Sequence, residues 1–423
     1  MPTIDFPYGK NAISYNIPDH RFQGELVSKM HYYKADLSQE NLVREAFENP
    51  IGTPHLGVMA EGKKNIVIIA SDHTRPVPSK MIMPVMLDEI RKGNPDADIT
   101  ILISTGCHRG TTNDELKNKF GPDIYNNEKI IVHDCDNSEF VYLGKLPSGG
   151  DLILNKIAVD ADLLVAEGFI EPHFFAGFSG GRKSVMPGVA NRKTVLYNHN
   201  TEFVSHPCAR TGIIEGNPIH NDMLYASRVA GLDFICNVVI NSAKEIVYAV
   251  TGDCDLAHKV GRDFLSSQCM VNKISSDIVI VTNGGYPLDQ NIYQAVKGMS
   301  AGEATVNKNG IIIMLAKSED GHCAPEFYKT FAEEKDLDKL ISDLMNTPKE
   351  QTGIDQWQSL IFARILQHAR IIYVSEAPDD MVKNLHMIPA KTLEEAMKMA
   401  DNMLKNPNAK ITAIPDGVGV MVV

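Results

Sequence analysis

The chain is 423 residues long, with 43% hydrophobic and 22% charged residues and a net charge of −12. Its apolar content is enough to offset chain entropy, which excludes disorder as the main state, and its length suggests two or three domains. The acidic balance excludes a nucleic-acid backbone binder, which needs clustered cations, but leaves room for a small anionic substrate in a locally positive pocket.

No apolar run approaches the ~20 residues of a membrane span, so no membrane partner is expected. Residues 1–6 lack the basic and apolar regions of a signal peptide, which makes the cytoplasm the expected compartment. The seven cysteines are widely spaced and form no CxxC, so they read as reduced thiols, most of them buried, and not as a zinc ribbon or disulfide framework.

In chain order, the apolar run 65–70 predicts a strand ending in Ser71-Asp72-His73-Thr74-Arg75-Pro76, followed by a helix over 79–91. A second strand over 99–105 ends in Gly106-Cys107-His108-Arg109-Gly110, before a helix over 112–120. A third, 163–166, runs into a turn from Glu167 to His173. A fourth, 278–281, leads into Asn283-Gly284-Gly285-Tyr286-Pro287 and a helix over 290–297. A fifth, 311–316, ends in a polar turn over 317–322, and helices over 338–345 and 393–404 precede a last strand-like run over 410–423.

Continuous Val/Ile runs suit parallel strands buried on both faces, and strand alternating with helix gives an α/β architecture with right-handed crossovers. The polar turns then lie beyond the carboxyl ends of the strands, where such sheets carry their sites. The expected architecture is two Rossmann-like α/β domains with mostly parallel sheets and an active-site cleft between them. The polar segment near 270–275 places the boundary: an N-terminal domain over 1–270, completed by 408–423, and a C-terminal domain over 273–406.

Three signals carry chemistry. The stretch from Glu171 to Gly188 places Gly180, Gly181, Arg182 and Lys183 among Phe174, Phe175, Phe178, Val185 and Met186. It fails the G-x-x-x-x-G-K-[ST] pattern, yet its glycines admit a ligand close to the backbone, and its apolar company predicts a partly buried lysine fit for covalent chemistry. His108, His173 and His199 could move protons or ligate a soft metal; two histidines facing one substrate from opposite sides would suit a racemase or epimerase. Arg75, restricted by Pro76, can grip a carboxylate through two hydrogen bonds, and helical spacing puts Tyr293 and Gln294 one turn from Lys297.

Together these stretches, with Asp355-Gln356-Trp357, resemble the nickel-dependent lactate racemase family along essentially the whole chain. The resemblance implies racemisation of a small 2-hydroxyacid, lactate first, by hydride transfer to and from a nickel pincer nucleotide. That cofactor, a pyridinium mononucleotide with thioamide and thiocarboxylic groups, would be covalently attached to Lys183, with nickel bound by His199 alongside cofactor carbon and sulfurs. His108 and His173 match the two general acid/bases. Asp72, Thr74 and Arg75 match cofactor-binding residues; Arg75, Tyr293, Gln294, Lys297 and Trp357 match substrate-binding ones. Cofactor-synthesis proteins would be transient partners. Cys107 and Gly110 stand where the resemblance expects a bulky aromatic and a proline, which would enlarge the pocket for malate, phenyllactate or gluconate. A nicotinamide-dependent dehydrogenase would need G-x-G-x-x-G in the first strand–helix turn, which is absent; a non-catalytic cofactor- or metabolite-binding protein is the remaining alternative.

Overall fold

Branched aliphatic runs, flanked by helices that need somewhere to bury one face, build two sheets. The computed structural model describes residues 1–423. The chain divides into two compact units, one comprising residues 30–199 and 206–267, the other residues 1–29, 200–205 and 268–423.

In the first unit, six strands run in the order Ile246–Gly252, Leu232–Ile240, Leu163–Phe169, Asn65–Ser71, Asp98–Ser104, Lys129–Val132. All neighbours are parallel except the 232–240/246–252 hairpin. Ile66, Ile68 and Val165 in the sheet meet Ile82, Met86 and Ile90 of the helix Ser79–Gly93 in one buried core. Truncating one such isoleucine to alanine costs about 2–5 kcal/mol, because rigid neighbours cannot refill the space.

The second unit holds an all-parallel sheet in the order Ile388–Ala390, Arg370–Val374, Val306–Leu315, Ser276–Thr282, Ile411–Ile414, Phe22–Glu25. Here the expected domain limits change. The tail 410–423 is two short strands, and 411–414 sits in this second sheet, with Ile411 and Ala413 sharing a core with Ile278, Ile280 and Ile313. Residues 408–423 therefore complete the second unit, and the N-terminal strand 22–25 joins it too. Parallel pairing leaves no turn signal in sequence to reveal such a partner.

The helix expected over 290–297 begins at Ile292, capped by Asn291, and continues to Thr305. Gly298 does not end it: a Cβ there would lie 2.7 Å from the Thr282 carbonyl, so glycine lets the helix lie close on the sheet. Glu167, expected in a turn, lies inside the strand 163–169 and is buried. No helix is long and apolar enough to cross a membrane.

Candidate active site

Strands 65–71 and 98–104 pair in register through Ser71 and Ser104, so their following loops emerge side by side. The first delivers Asp72, 1% exposed. One of its carboxylate oxygens accepts from the Thr74 amide at 3.1 Å and the Thr74 hydroxyl at 2.6 Å. The other lies 2.7 Å from His108 Nδ1. Desolvation pushes the Asp72 carboxyl up, but the His108 hydrogen bond and charge, then Arg75 and Thr74, win and hold it at about 2. In its neutral form His108 directs Nδ1–H at the carboxylate and keeps a lone pair on Nε2, an assignment that follows from the network.

The sign of the Asp72 contribution follows. Its native value lies below the ordinary 3.8, so it stabilises the fold above pH 4 and that stabilisation drains away as pH falls towards 2. Urea midpoints measured across this range should show Asp72→Asn less stable than the parent near neutrality, with the gap closing in acid. A gap that widens in acid would contradict the assignment.

Beneath this loop, Glu167 accepts from the Ser71 amide and hydroxyl, both at 3.2 Å, and from the Ser79 hydroxyl at 2.9 Å. Lys119 donates to Ser71 Oγ at 3.0 Å, and burial lowers its pKa. Ser71 opens a stretch singled out in the sequence, but nothing local to it points to Glu167, Ser79 or Lys119 as its supports. His73 turns to Thr111 at 3.0 Å, and Arg109 pairs with Glu115 at 2.6 Å.

A third loop follows strand 163–169. Gly180 and Gly181 adopt φ of 76° and 53°, the left-handed region that favours glycine. A Cβ on Gly180 would meet Asn237 Oδ1 at 2.6 Å, and the same oxygen accepts from the Gly181 amide at 2.7 Å. Of the two cations that follow, the fully buried one is Arg182, 1% exposed; Lys183 is half-buried. Arg182 donates to the Ala176 carbonyl at 2.8 Å and to His220 Nδ1 at 3.0 Å. Burial, then the charge of Arg262, brings its pKa down to about 9. Arg182 is thus a clamp inside the loop, held by backbone carbonyls and His220.

Lys183 Nζ lies 3.1 Å from His173 Nε2 and 5.7 Å from the centre of the Phe175 ring. Phe175 also takes the rings of His173 and His199 edge-on, at 4.5 and 5.2 Å between centroids. His199 is 5% exposed; burial, then the Lys183 charge, pushes its pKa to about 3, so it is neutral near pH 7. His173 Nδ1 accepts from the Ala176 amide at 3.2 Å. Gly188 ties this loop to the histidine turn: its amide donates to the Lys183 carbonyl at 3.2 Å, and its carbonyl accepts from the Gly106 amide at 2.9 Å. One unit therefore brings together Asp72, Thr74, Arg75, His108, His173, Lys183 and His199 on connected loops.

The other unit carries the remaining candidates. Tyr293, Gln294 and Lys297 share one face of the helix Ile292–Thr305. Tyr293 donates to Asp355 at 2.9 Å, and Gln358 donates to the Tyr293 carbonyl at 2.6 Å. Trp357 is half-buried in the first turn of the helix Gln356–His368. Gln294 Oε1 is buried with no hydrogen-bond partner, a polar atom with capacity to spare.

Residues 8–212 match the lactate racemase N-terminal domain, and residues 271–422 the lactate racemase C-terminal domain. A lactate racemase of Thermoanaerobacterium thermosaccharolyticum is 53% identical, covering 100% of this chain and 99% of that one. Another, from Lactiplantibacillus plantarum, is 52% identical over 100% of both. The solved lactate racemase apoprotein from T. thermosaccharolyticum superposes with a TM-score of 0.96, at 52% identity and full coverage of both chains. A Thermotoga maritima protein at 17% identity, TM-score 0.64 over 91% of this chain and 97% of that one, shares the fold alone. Matches of this extent place the chain among the racemases, a class of isomerase. It belongs to the lactate racemase family.

Proposed function

We propose that the protein interconverts the enantiomers of lactate, with His108 and His173 as its two proton-transfer groups. The observation that carries this reading is the opposite hydrogen bonding of the two rings. His108 donates a hydrogen bond from Nδ1 to Asp72 at 2.7 Å and so, when neutral, can take a proton at Nε2. His173 receives the Ala176 amide on Nδ1 and so, when neutral, carries its proton on Nε2. One ring is set to accept the hydroxyl proton and the other to return one; the roles exchange in the reverse direction.

The same tautomer bears on Lys183. Nε2–H of His173 faces the lysine nitrogen at 3.1 Å, and in that state the nitrogen is the acceptor, as the amine. That is the form able to become a thioamide. The donor set fits the family's nickel pincer nucleotide: Lys183 would hold it covalently, His199 is a neutral buried imidazole of the kind a soft metal takes, and Asp72, Thr74 and Arg75 would bind its remaining polar groups. When bound, the group supplies a two-electron acceptor and donor for the carbon that changes configuration. Arg75 would orient the substrate carboxylate. Lys297, Tyr293, Gln294 and Trp357 are the substrate-binding candidates that the second unit carries. Transient cofactor-synthesis partners and a cytoplasmic setting accord with this reading.

A longer 2-hydroxyacid is the second reading, favoured by the small Cys107 and Gly110 beside His108. Cofactor-loaded protein given single enantiomers of lactate, malate, phenyllactate and gluconate should racemise lactate fastest, without added NAD, by chiral chromatography. Faster turnover of another acid would replace the substrate, and inertness on all four would favour a binding protein.

A further inference from the structure

The loop that carries His108 also carries a thiol that no step above uses. Cys107 is half-buried, and Cys135 is 4% exposed. The two follow neighbouring strands, 98–104 and 129–132, which pair in register through Ile103 and Val132. The Thr105 hydroxyl donates to the His133 carbonyl at 2.6 Å, drawing the two loops together. At their tips the two thiols act on one another, Cys135 pushing the Cys107 thiol up and Cys107 bringing the Cys135 thiol down.

The two sulfurs are not equally movable. The Cys135 carbonyl accepts from Asn191 Nδ2 and from the Arg192 amide, both at 3.1 Å. Asp134 Oδ1 binds the next two amides, those of Asp136 and Asn137, at 2.9 and 3.1 Å. Asp136 is pinned in turn by Arg192 at 2.6 Å. Cys135 is fixed from three sides. Cys107 sits directly before His108, where the chain passes from buried Thr105 and Gly106 to exposed residues 108–110.

We propose that Cys107 and Cys135 form an oxidation site for small peroxides, closing to a disulfide that pulls His108 off Asp72. The chemistry balances. One sulfur attacks the peroxide: an S–O bond forms, the O–O bond breaks and water leaves. The second sulfur attacks that sulfenic acid: an S–S bond forms, the S–O bond breaks and a second water leaves. Two thiols lose two electrons, and hydrogen peroxide gains them. A disulfide needs its sulfurs about 2.05 Å apart, well inside any thiol–thiol contact. Since Cys135 is anchored, Cys107 makes the movement, and the adjoining His108 moves with it.

The cross-link does not depend on the function proposed above; its effect on turnover rests on the role given to His108. Cofactor-free protein treated with hydrogen peroxide and digested without reductant should yield a Cys107–Cys135 peptide, two hydrogens lighter by mass spectrometry and separated by dithiothreitol. Cofactor-loaded protein should lose at least about tenfold in racemisation rate on the same treatment and regain it with dithiothreitol. Cys135→Ser, with Cys135→Ala as a second variant should serine perturb the fold, should lack both effects. Absence of the cross-linked peptide from the parent would overturn the site. Equal peroxide losses in parent and Cys135→Ser would overturn the coupling to His108.

Discussion

Lys183→Ala protein, made in a host that synthesises the cofactor, is expected to fold normally, carry no covalent group and racemise at background. The loop that presents the lysine is held independently of its side chain: Asn237 binds the Gly181 amide, Arg182 binds the Ala176 carbonyl, and Gly188 binds the Lys183 carbonyl. Removing the side chain therefore takes away the nucleophile and its contact with His173 while leaving the loop's backbone held. Lys183→Arg is the sharper test, because it keeps a long nitrogen-bearing side chain beside Phe175 but cannot form a thioamide. Intact-mass spectra should show the cofactor increment in the parent and in neither variant. A variant that retains the increment, or turns over at the parental rate without it, would remove Lys183 from the site.

Alanine in place of His108 or His173 should each lower racemisation by about 10²–10⁴, the usual worth of a positioned acid or base, with circular dichroism unchanged. The two directions must fall together, because enantiomers are equal in energy and kcat/KM for each must stay equal whatever is mutated. The pH profiles should separate the residues. His108 answers to the Asp72 carboxylate and His173 to the Ala176 amide and Lys183, so Asp72→Asn should shift the profile through His108 and leave His173→Ala to add to it. A folded His173→Ala within about threefold of the parent would assign the second proton transfer elsewhere.

Much of this was legible in the chain. Uninterrupted runs such as Ile66 to Ala70 announce buried parallel strands, and the polar residues that break them fall where such sheets keep their chemistry. Asp72 came only with the family resemblance, whereas Arg75, His108 and Lys183 could be singled out from the unusual residues around them. Their partners could not. Glu167 reads as the start of a turn until the sheet buries it, and Arg182 reads as a surface cation until backbone carbonyls close around it. His220 lies 38 residues beyond Arg182, with nothing local to connect them. The placement of 411–414 was missed for the same reason: a parallel strand is defined by partners that are remote in sequence, not by its flanking turn.

That strand also orders events in time. Phe22 pairs with Ile411, so one edge of the second sheet emerges first from the ribosome and waits for nearly the whole chain to follow. The unit built from residues 30–199 and 206–267 has all its strands before the other can close. The loops bearing His108, His173, Lys183 and His199 are therefore complete while the C-terminal sheet is still being synthesised. Loss of even the last dozen or so residues would leave the N-terminal strand without its neighbour and spare those loops. A nonsense mutation there would yield a chain with its lysine in place and half its fold open.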